Sequence, residues 1–174
     1  MALENEINQS SFRSEDQKAI VNIIFTYHWV TEQVKSILAK EDITMQQYNI
    51  LRILRGSDPN PLSTLTIRER MLDKMSDTSR IVDRMLLKGL VVKRTCSNDK
   101  RLVDVNLTDE GKKLLLRLDE TMEEMDEITR NLSQEELEKL NELLDKVRDT
   151  ARARDEGLGT GDKGKAEIAN TNEE

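Results

Sequence analysis

Asn98-Asp99-Lys100-Arg101 is a short charged segment that separates two runs of β-forming residues. The run before it, residues 90–96, is short and contains β-branched residues, and in the run after it Val103, Val105 and Leu107 alternate with Leu102, Asp104 and Asn106. Two such runs around a polar loop predict an antiparallel hairpin with one packed face and one solvated face. We therefore expect a hairpin whose tip projects into solvent and carries Lys100 and Arg101.

A pair of helices is predicted directly before this hairpin. The second of them should run from about Ser76 to Lys88, with Ser76 as N-cap and Gly89 as C-terminal stop. Residues 73–75 form a tight connection to a shorter helix around Thr66 to Leu72. The expected fold class is mainly α with a small β-hairpin wing, that is, a winged helix-turn-helix with dimerisation helices at both ends.

The helix from Ser76 has two different faces at about 100° per residue. A recognition helix presents polar and cationic groups to the major groove, although an ordinary solvated helix face has a similar composition. The basic hairpin tip beside it favours the first interpretation. The inward face should comprise Thr78, Ile81, Val82, Met85 and Leu86. The candidate DNA-binding residues are Ser76, Asp77, Ser79, Arg80, Arg84, Asp99, Lys100 and Arg101.

The charge distribution supports a nucleic-acid partner only for the central part of the chain. The whole sequence has a formal net charge of -7. Residues 62–108 hold ten basic and six acidic residues, a net charge of +4, which leaves -11 for the rest. Acidic flanks repel phosphate everywhere except at the intended face, so this asymmetry favours oriented binding.

The first long helix should need a partner. Ser14-Glu15-Asp16-Gln17 has the spacing of a capping box and predicts a helix start. Apolar residues between positions 20 and 38 form one stripe, and Val21, Phe25 and Trp29 form a second stripe opposite. A helix with two apolar sides must be covered on both. A second copy of the chain is the favoured cover, and a position sandwiched within one domain is the alternative.

Three further helices are expected from capping signals. Thr44 opens one that ends near Gly56, and Thr108 caps one long helix that continues to Ile128. Ser133-Gln134-Glu135-Glu136 is a capping box for a terminal helix. The expected organisation is a flexible N-terminal arm at 1–13, supporting and dimerisation helices at 14–56, the DNA-binding region at 57–107, C-terminal linker and dimerisation helices at 108–151, and a disordered tail at 152–174.

Several function classes are excluded by composition. His28 is the only histidine, so neither a histidine-based metal cluster nor a Ser-His-Asp triad can be assembled within one chain. Its side chain is expected to be packed or to face a second copy, with a pH or effector sensor as the alternative. There is no glycine-rich phosphate loop, so we expect neither an enzyme nor a cofactor.

The sequence also predicts a cytoplasmic protein. No apolar run approaches the roughly 18 residues that a membrane helix needs, and the N-terminus lacks the layout of a signal peptide. Cys96 is the only cysteine, which excludes an internal disulfide and fits a reducing compartment. Its place beside Arg94 and Lys100 leaves a redox role as a minor alternative.

In its motifs the chain resembles the MarR family of bacterial transcription regulators. Asp99-Lys100-Arg101, Val105 and residues 107–111 match the family's wing pattern D-x-R…V-x-L-T-x-x-G. Residues 79–91 are similar to the family's recognition-helix segment, and the order of elements extends the resemblance over residues 14–151. Thr78 departs from the pattern because an apolar residue is usual there.

The resemblance implies a homodimer that presents two winged helices to a pseudo-palindromic double-stranded DNA operator. By analogy, Arg101 enters the minor groove, Asp99 steadies the wing and the recognition helix reads the major groove. Arg80 and Arg84 can each bond a guanine edge or a phosphate, and the sequence leaves that choice open. The expected function is a repressor that a small-molecule effector releases from DNA. The alternative is a winged-helix protein-interaction module that does not bind DNA.

Overall fold

The structure, a computed structural model, describes residues 2–95 and 103–158. The helices are α1 Leu3–Glu6, α2 Glu15–Ala39, α3 Met45–Arg55, α4 Thr64–Arg70, α5 Thr78–Leu87, α6 Asp109–Glu120, α7 Met122–Asp126 and α8 Gln134–Leu158, with a 3-10 turn at Glu127–Thr129. The strands are β1 Leu62–Ser63, β2 Val91–Thr95 and β3 Val103–Leu107. This mainly helical chain with a small antiparallel sheet confirms the predicted fold class, and the dimerisation role of the terminal helices stays a prediction.

Hydroxyl side chains cap the N-termini of α2, α3 and α8 where the sequence predicted these helices to begin. The Ser14 hydroxyl accepts from the Gln17 N–H at 3.3 Å, and Thr44 and Ser133 each form a reciprocal capping box. At Ser14 the returning bond differs, because the Gln17 side chain accepts from the N–H of Arg13. These bonds satisfy N–H groups that have no partner inside their helices.

The start of α5 is a correction to the sequence analysis. The N-cap is Asp77, whose carboxylate accepts from the Arg80 N–H, and the prediction of Ser76 as N-cap is wrong. The Ser76 hydroxyl instead donates to Asp73 Oδ2 at 2.7 Å in the preceding turn. Serine and aspartate are comparable N-caps, so the competing acceptor at Asp73 decides which of them caps the helix.

The sheet has three strands in the order β1-β3-β2, all antiparallel. The hairpin of β2 and β3 confirms the expected wing strands, with Val91 opposite Leu107. The short strand β1 was not predicted, since two residues carry too little periodicity to be recognised. Val105 and Leu107 are buried on the core side of β3, as the alternation predicted.

The helix expected from Thr108 to Ile128 is broken, so the prediction of one long helix is wrong. The α6 helix ends at Glu120, α7 follows after Thr121, and a 3-10 turn ends the segment. The Thr121 hydroxyl donates to the Leu118 carbonyl at 2.9 Å. A threonine that bonds its own helix backbone competes with helix propagation, and the apolar spacing on either side did not reveal this.

Both chain ends differ from the expected organisation. The N-terminal arm contains the one-turn helix α1, in which Leu3 is buried and Glu4 forms a 2.6 Å ion pair with Lys18 of α2. At the other end α8 continues past Ala151 to Leu158, so the helix occupies the first part of the expected tail. Residues 159–174 lie outside the described residues.

The chain forms two compact units that divide between Ile128 and Thr129. The core of the first unit is formed by helices α2 to α6 together with the sheet. Its fully buried side chains are Leu38, Ile50, Leu51, Ile67, Met71, Val82, Met85, Val91, Val105, Leu115 and Leu118. Within residues 2–95 and 103–158, no helix combines the length and apolar character needed to cross a bilayer.

Candidate nucleic-acid interface

Helix α5 has one buried face and one solvated face. Thr78, Val82 and Met85 are buried, as predicted, and Ile81 is half-buried. Leu86 is 42% exposed, so its assignment to the inward face is wrong. It lies at the margin of the apolar stripe, where the helical wheel does not decide burial. The solvated face presents Ser79, Arg80, Asp83, Arg84 and Leu87.

Thr78 is accommodated in the core by a sulfur contact. Its side chain is buried, and its hydroxyl donates to Sδ of Met71 at 3.2 Å. A buried hydroxyl without a partner is destabilising, and methionine sulfur is a weak acceptor. This contact joins the N-terminal end of α5 to the end of α4, in place of the apolar contact expected at this position.

The turn between α4 and α5 is held by one carboxylate. Asp73 accepts from the Met75 N–H at 3.0 Å and from the Ser76 hydroxyl at 2.7 Å. These hydrogen bonds, the one from Ser76 first, lower the pKa of Asp73. The Leu72 N–H donates to the Asn49 side chain at 2.9 Å, which fastens the turn to α3. The angle at which α5 leaves the core is therefore fixed locally.

Arg80 and Asp77 form a charged pair with two contacts on the solvated face. Asp77 Oδ1 accepts a hydrogen bond from the Arg80 backbone N–H at 3.2 Å, and Asp77 Oδ2 forms an ion pair with Arg80, 3.1 Å from Nε. The Arg80 side chain is nevertheless 80% exposed. Most of this side chain is therefore accessible to a ligand.

Two ion pairs connect α5 to neighbouring elements. Lys93 of β2 pairs with Asp83, which joins the wing to the middle of the recognition helix. Lys88, the C-cap of α5, pairs with Asp42 in the connection between α2 and α3 at 2.9 Å. Both pairs are close to solvent, so they orient the helix more than they stabilise the fold.

The end of α5 is locked to the base of the wing. Gly89 has a φ of 70°, and the N–H groups of Gly89 and Leu90 bond back to the carbonyls of Leu86 and Met85. This is the Schellman arrangement that glycine favours. The Thr108 N–H then donates to the Leu90 carbonyl at 3.1 Å.

The wing tip itself lies outside the described residues. Thr95 and Val103 are the last paired residues of β2 and β3, and the segment between them holds Asp99, Lys100 and Arg101. Cys96 lies in the same segment, so its expected role stays a prediction. The hairpin that carries the tip is defined, and its strand β2 is bonded to α5 through Lys93.

One cationic residue near this surface was missed by the sequence analysis. Arg68 of α4 is exposed and lines a cleft with Thr64, Ser76 and Ser79 at the N-terminal end of α5. The signal for it was weak, because a short helix of mixed composition gives no clear exposed face. The cleft joins the two helices of the helix-turn-helix, and its lining combines hydroxyl and guanidinium groups with the carboxylate of Asp77.

His28 lies on α2 and is not part of the solvated face of α5. His28 is exposed on α2, with its ring edge-on to Tyr27 at 5.4 Å between centroids. Among residues 2–95 and 103–158, no group of three or more histidine, cysteine, aspartate or glutamate side chains could hold a metal ion. The site therefore offers hydrogen-bond donors and charge, which suit recognition of a polyanion.

The family model described as the MarR family matches residues 43–103. HTH-type transcriptional regulator FarR of Neisseria gonorrhoeae is 34% identical over 113 residues, which cover 64% of this chain and 76% of FarR. A MarR transcription factor from Planctomyces limnophilus is 33% identical with a TM-score of 0.61, and the match covers 78% of this chain and 98% of that one. A mutant MarR from E. coli, crystallised in complex with operator DNA, is 25% identical with a TM-score of 0.69 and coverages of 84% and 99%.

Proposed function

We propose that this chain, which belongs to the MarR family, is a homodimeric repressor that binds a specific double-stranded DNA operator and is released by a small-molecule effector. The observation that carries the proposal is the exposed face of α5, on which Arg80 and Arg84 stand beside a wing strand that Lys93 fastens to Asp83. A helix and a hairpin held together in this way can engage one stretch of duplex at the same time.

The N-terminal half of α5 is proposed to enter the major groove. Recognition helices of the helix-turn-helix class contact base edges with residues near their N-termini. Ser76, Asp77, Ser79, Arg80 and Arg84 are the residues we assign to this part of the interface, either in contact with DNA or positioning a neighbour that is. Arg68, which lines the adjoining cleft, is proposed to contact the phosphate backbone, since the first helix of such a pair crosses it.

The wing is proposed to bind the neighbouring minor groove. Lys100 and Arg101 supply positive charge, and a narrow minor groove concentrates negative potential that an inserted arginine senses. Asp99 is proposed to hold Arg101 in place. These three assignments come from the sequence motif and from the hairpin that ends at Thr95 and Val103.

The homodimer is supported by an apolar face of α2 that the first unit leaves uncovered. Ile20, Ile24 and Tyr27 recur at helical spacing and are 59%, 53% and 62% exposed. A symmetric contact would cover the same patch on both copies. Two recognition helices then have to meet half-sites about 34 to 36 Å apart, so the operator should be pseudo-palindromic.

Release by an effector needs only a small change of geometry. An effector that binds more tightly to dimers whose recognition helices have the wrong spacing increases the population of those dimers. The size of the shift is set by the difference between its affinities for the two forms.

A cytoplasmic location belongs to the same proposal, because a bacterial operator lies in the cytoplasm. No enzymatic activity is proposed for this chain.

Selection of bound sequences from a random duplex pool tests the proposal. The expected product is an inverted repeat with half-sites about one helical turn, or a multiple of it, apart. Recovery of unrelated sequences, with binding no tighter than to the starting pool, would reject sequence-specific recognition. That outcome would favour the alternative, a protein-interaction module that does not bind DNA.

A further inference from the structure

We infer that the two arginines on the solvated face of α5 have different roles: Arg80, oriented by Asp77, reads a guanine, whereas Arg84 contacts phosphate. The inference rests on the proposed DNA-binding function and resolves a choice that the sequence left open. It makes Asp77 a positioning residue for base recognition, and not itself a DNA contact.

Asp77 uses both of its carboxylate oxygens on residue 80. Oδ1 accepts a hydrogen bond from the backbone N–H at 3.2 Å, which caps the helix, and Oδ2 forms an ion pair with the side chain, 3.1 Å from Nε. The carboxylate cannot move to follow the guanidinium without losing the cap. The Arg80 side chain is therefore held at its Nε while 80% of it remains exposed.

This arrangement leaves one pair of donors for a ligand. A guanidinium presents its N–H groups in a fixed fork, and Nε is the atom nearest to the Asp77 carboxylate, so the two Nη groups form the end-on fork that is left for a ligand. The major-groove edge of guanine offers two acceptors, O6 and N7, that such a fork matches. Prior orientation also reduces the side-chain entropy lost on binding.

Arg84 is placed differently although it lies only one turn further along. Among the residues that the structure describes, no acidic side chain forms an ion pair with it, and its side chain is exposed. It lines a cleft with Gln46 of α3, Asp77 and Ile81. An unrestrained arginine can follow the backbone but lacks a fixed direction for base reading.

The charge of Asp77 supports the same division. A carboxylate at the groove-facing end of a DNA-binding helix repels phosphate and weakens binding to every sequence equally. A carboxylate at this position is explained if it increases the difference in affinity between the operator and other sequences by more than it lowers the affinity for all of them. Specificity depends on that difference.

The test uses full-length protein and the operator obtained by selection, with each guanine of one half-site replaced in turn by 7-deazaguanine. This analogue lacks N7 and so removes one acceptor of the bidentate contact. Wild-type protein should lose roughly 10- to 100-fold in affinity at one position. The variants Arg80→Ala and Asp77→Asn should show no additional loss from that replacement. Arg84→Ala should keep the full loss.

The variants also separate positioning from folding. Asparagine is as good an N-cap as aspartate, so Asp77→Asn should leave the helix intact, but its single acceptor oxygen serves the cap and leaves Nε without a partner. We expect its binding to unrelated duplex to be unchanged or tighter. Arg84→Ala should instead reduce the salt dependence of binding by about one phosphate per protomer.

Three results overturn specific parts of the inference. If Asp77→Asn retains the full 7-deazaguanine loss while Arg80→Ala abolishes it, Asp77 does not position Arg80. If Arg84→Ala abolishes the loss, the two roles are reversed. If every variant retains it, neither arginine reads guanine. In all three cases wild-type protein still prefers its operator, whereas failure of the proposed function would remove that preference altogether.

Discussion

Thr108 donates a hydrogen bond of 2.6 Å to the carbonyl of Gly89, and the same hydroxyl accepts the N–H of Gly111 at 3.0 Å. One side chain thus caps α6 and closes the C-terminal end of the recognition helix. This junction explains the L-T-x-x-G part of the wing motif. The two hydrogen bonds of the threonine hydroxyl fix the end of the hairpin relative to the end of α5.

Replacing Thr108 by valine should destabilise the fold at this junction. The substitution removes an N-cap worth about 1 kcal/mol and a second hydrogen bond worth about 1 kcal/mol, so the free energy of unfolding should fall by roughly 1 to 3 kcal/mol. Urea denaturation at a fixed protein concentration measures the change, because dimerisation contributes to stability. Thr108→Ser keeps both bonds and should resemble wild type. Equal losses for serine and valine would contradict the account.

Gly111 is required by the close approach of α6 to the turn after α5. A Cβ atom at this position would lie 2.2 Å from the Leu90 carbonyl oxygen. Gly111→Ala should therefore cost about 1 to 3 kcal/mol or more. Gly56→Ala is the matched control, since its Cβ would meet only backbone oxygens at 3.6 and 3.7 Å. The control should be neutral or stabilising by up to about 1 kcal/mol. Similar thermal stability of both variants would exclude the clash.

The Asp73 carboxylate should make the free energy of unfolding depend on pH in the acid range. Hydrogen bonds from Ser76 and Met75 lower its pKa from the ordinary value of 3.8. A lowered folded pKa means that this carboxylate stabilises the fold above pH 3.8 and loses that effect as the pH falls through the folded pKa. An NMR titration of the Asp73 carboxyl should move toward 3.8 in Ser76→Ala, which removes the larger cause. An unchanged titration in that variant would show that Ser76 does not hold the carboxylate.

The apolar face of α2 should control assembly. Ile24 is 53% exposed within the first unit, and Ile24→Asp places a charge where the second copy is expected. Sedimentation should show a dimer for wild type and a shift toward monomer for the variant. Leu72→Asp alters a residue that is 86% exposed in the turn before α5 and should leave assembly unchanged. A variant dimer as stable as wild type would place the interface elsewhere.

Sequence patterns predicted the elements that repeat over many residues. The caps at Ser14, Thr44 and Thr108 are visible because a hydroxyl three residues before its bonding partner is a local signal. The buried alternation of β3 is likewise a property of five consecutive residues. The break at Thr121 and the strand β1 were missed because each depends on a single hydrogen bond or a two-residue pairing.

For the candidate site, the sequence predicted which side chains of α5 are exposed but not the contacts between them. The exposed face of α5 follows from helical periodicity, so the exposure of Arg80 and Arg84 was predicted. The ion pair of Lys93 with Asp83 joins residues ten positions apart on different elements, and no spacing rule connects them. Ser76 was assigned as the cap because the sequence does not reveal which acceptor a hydroxyl will choose.

The most direct test of the central claim is the salt dependence of operator binding. Fluorescence anisotropy at several salt concentrations gives the slope of log affinity against log salt, which becomes shallower by about 0.9 for each phosphate that the protein no longer neutralises. Arg84→Ala and Arg101→Ala should each weaken binding and reduce the slope by about one phosphate per protomer. Lys139→Ala, a charge change on the exposed face of α8, should do neither. Slopes that are identical in all four proteins would contradict the claim that α5 and the wing bind the same duplex.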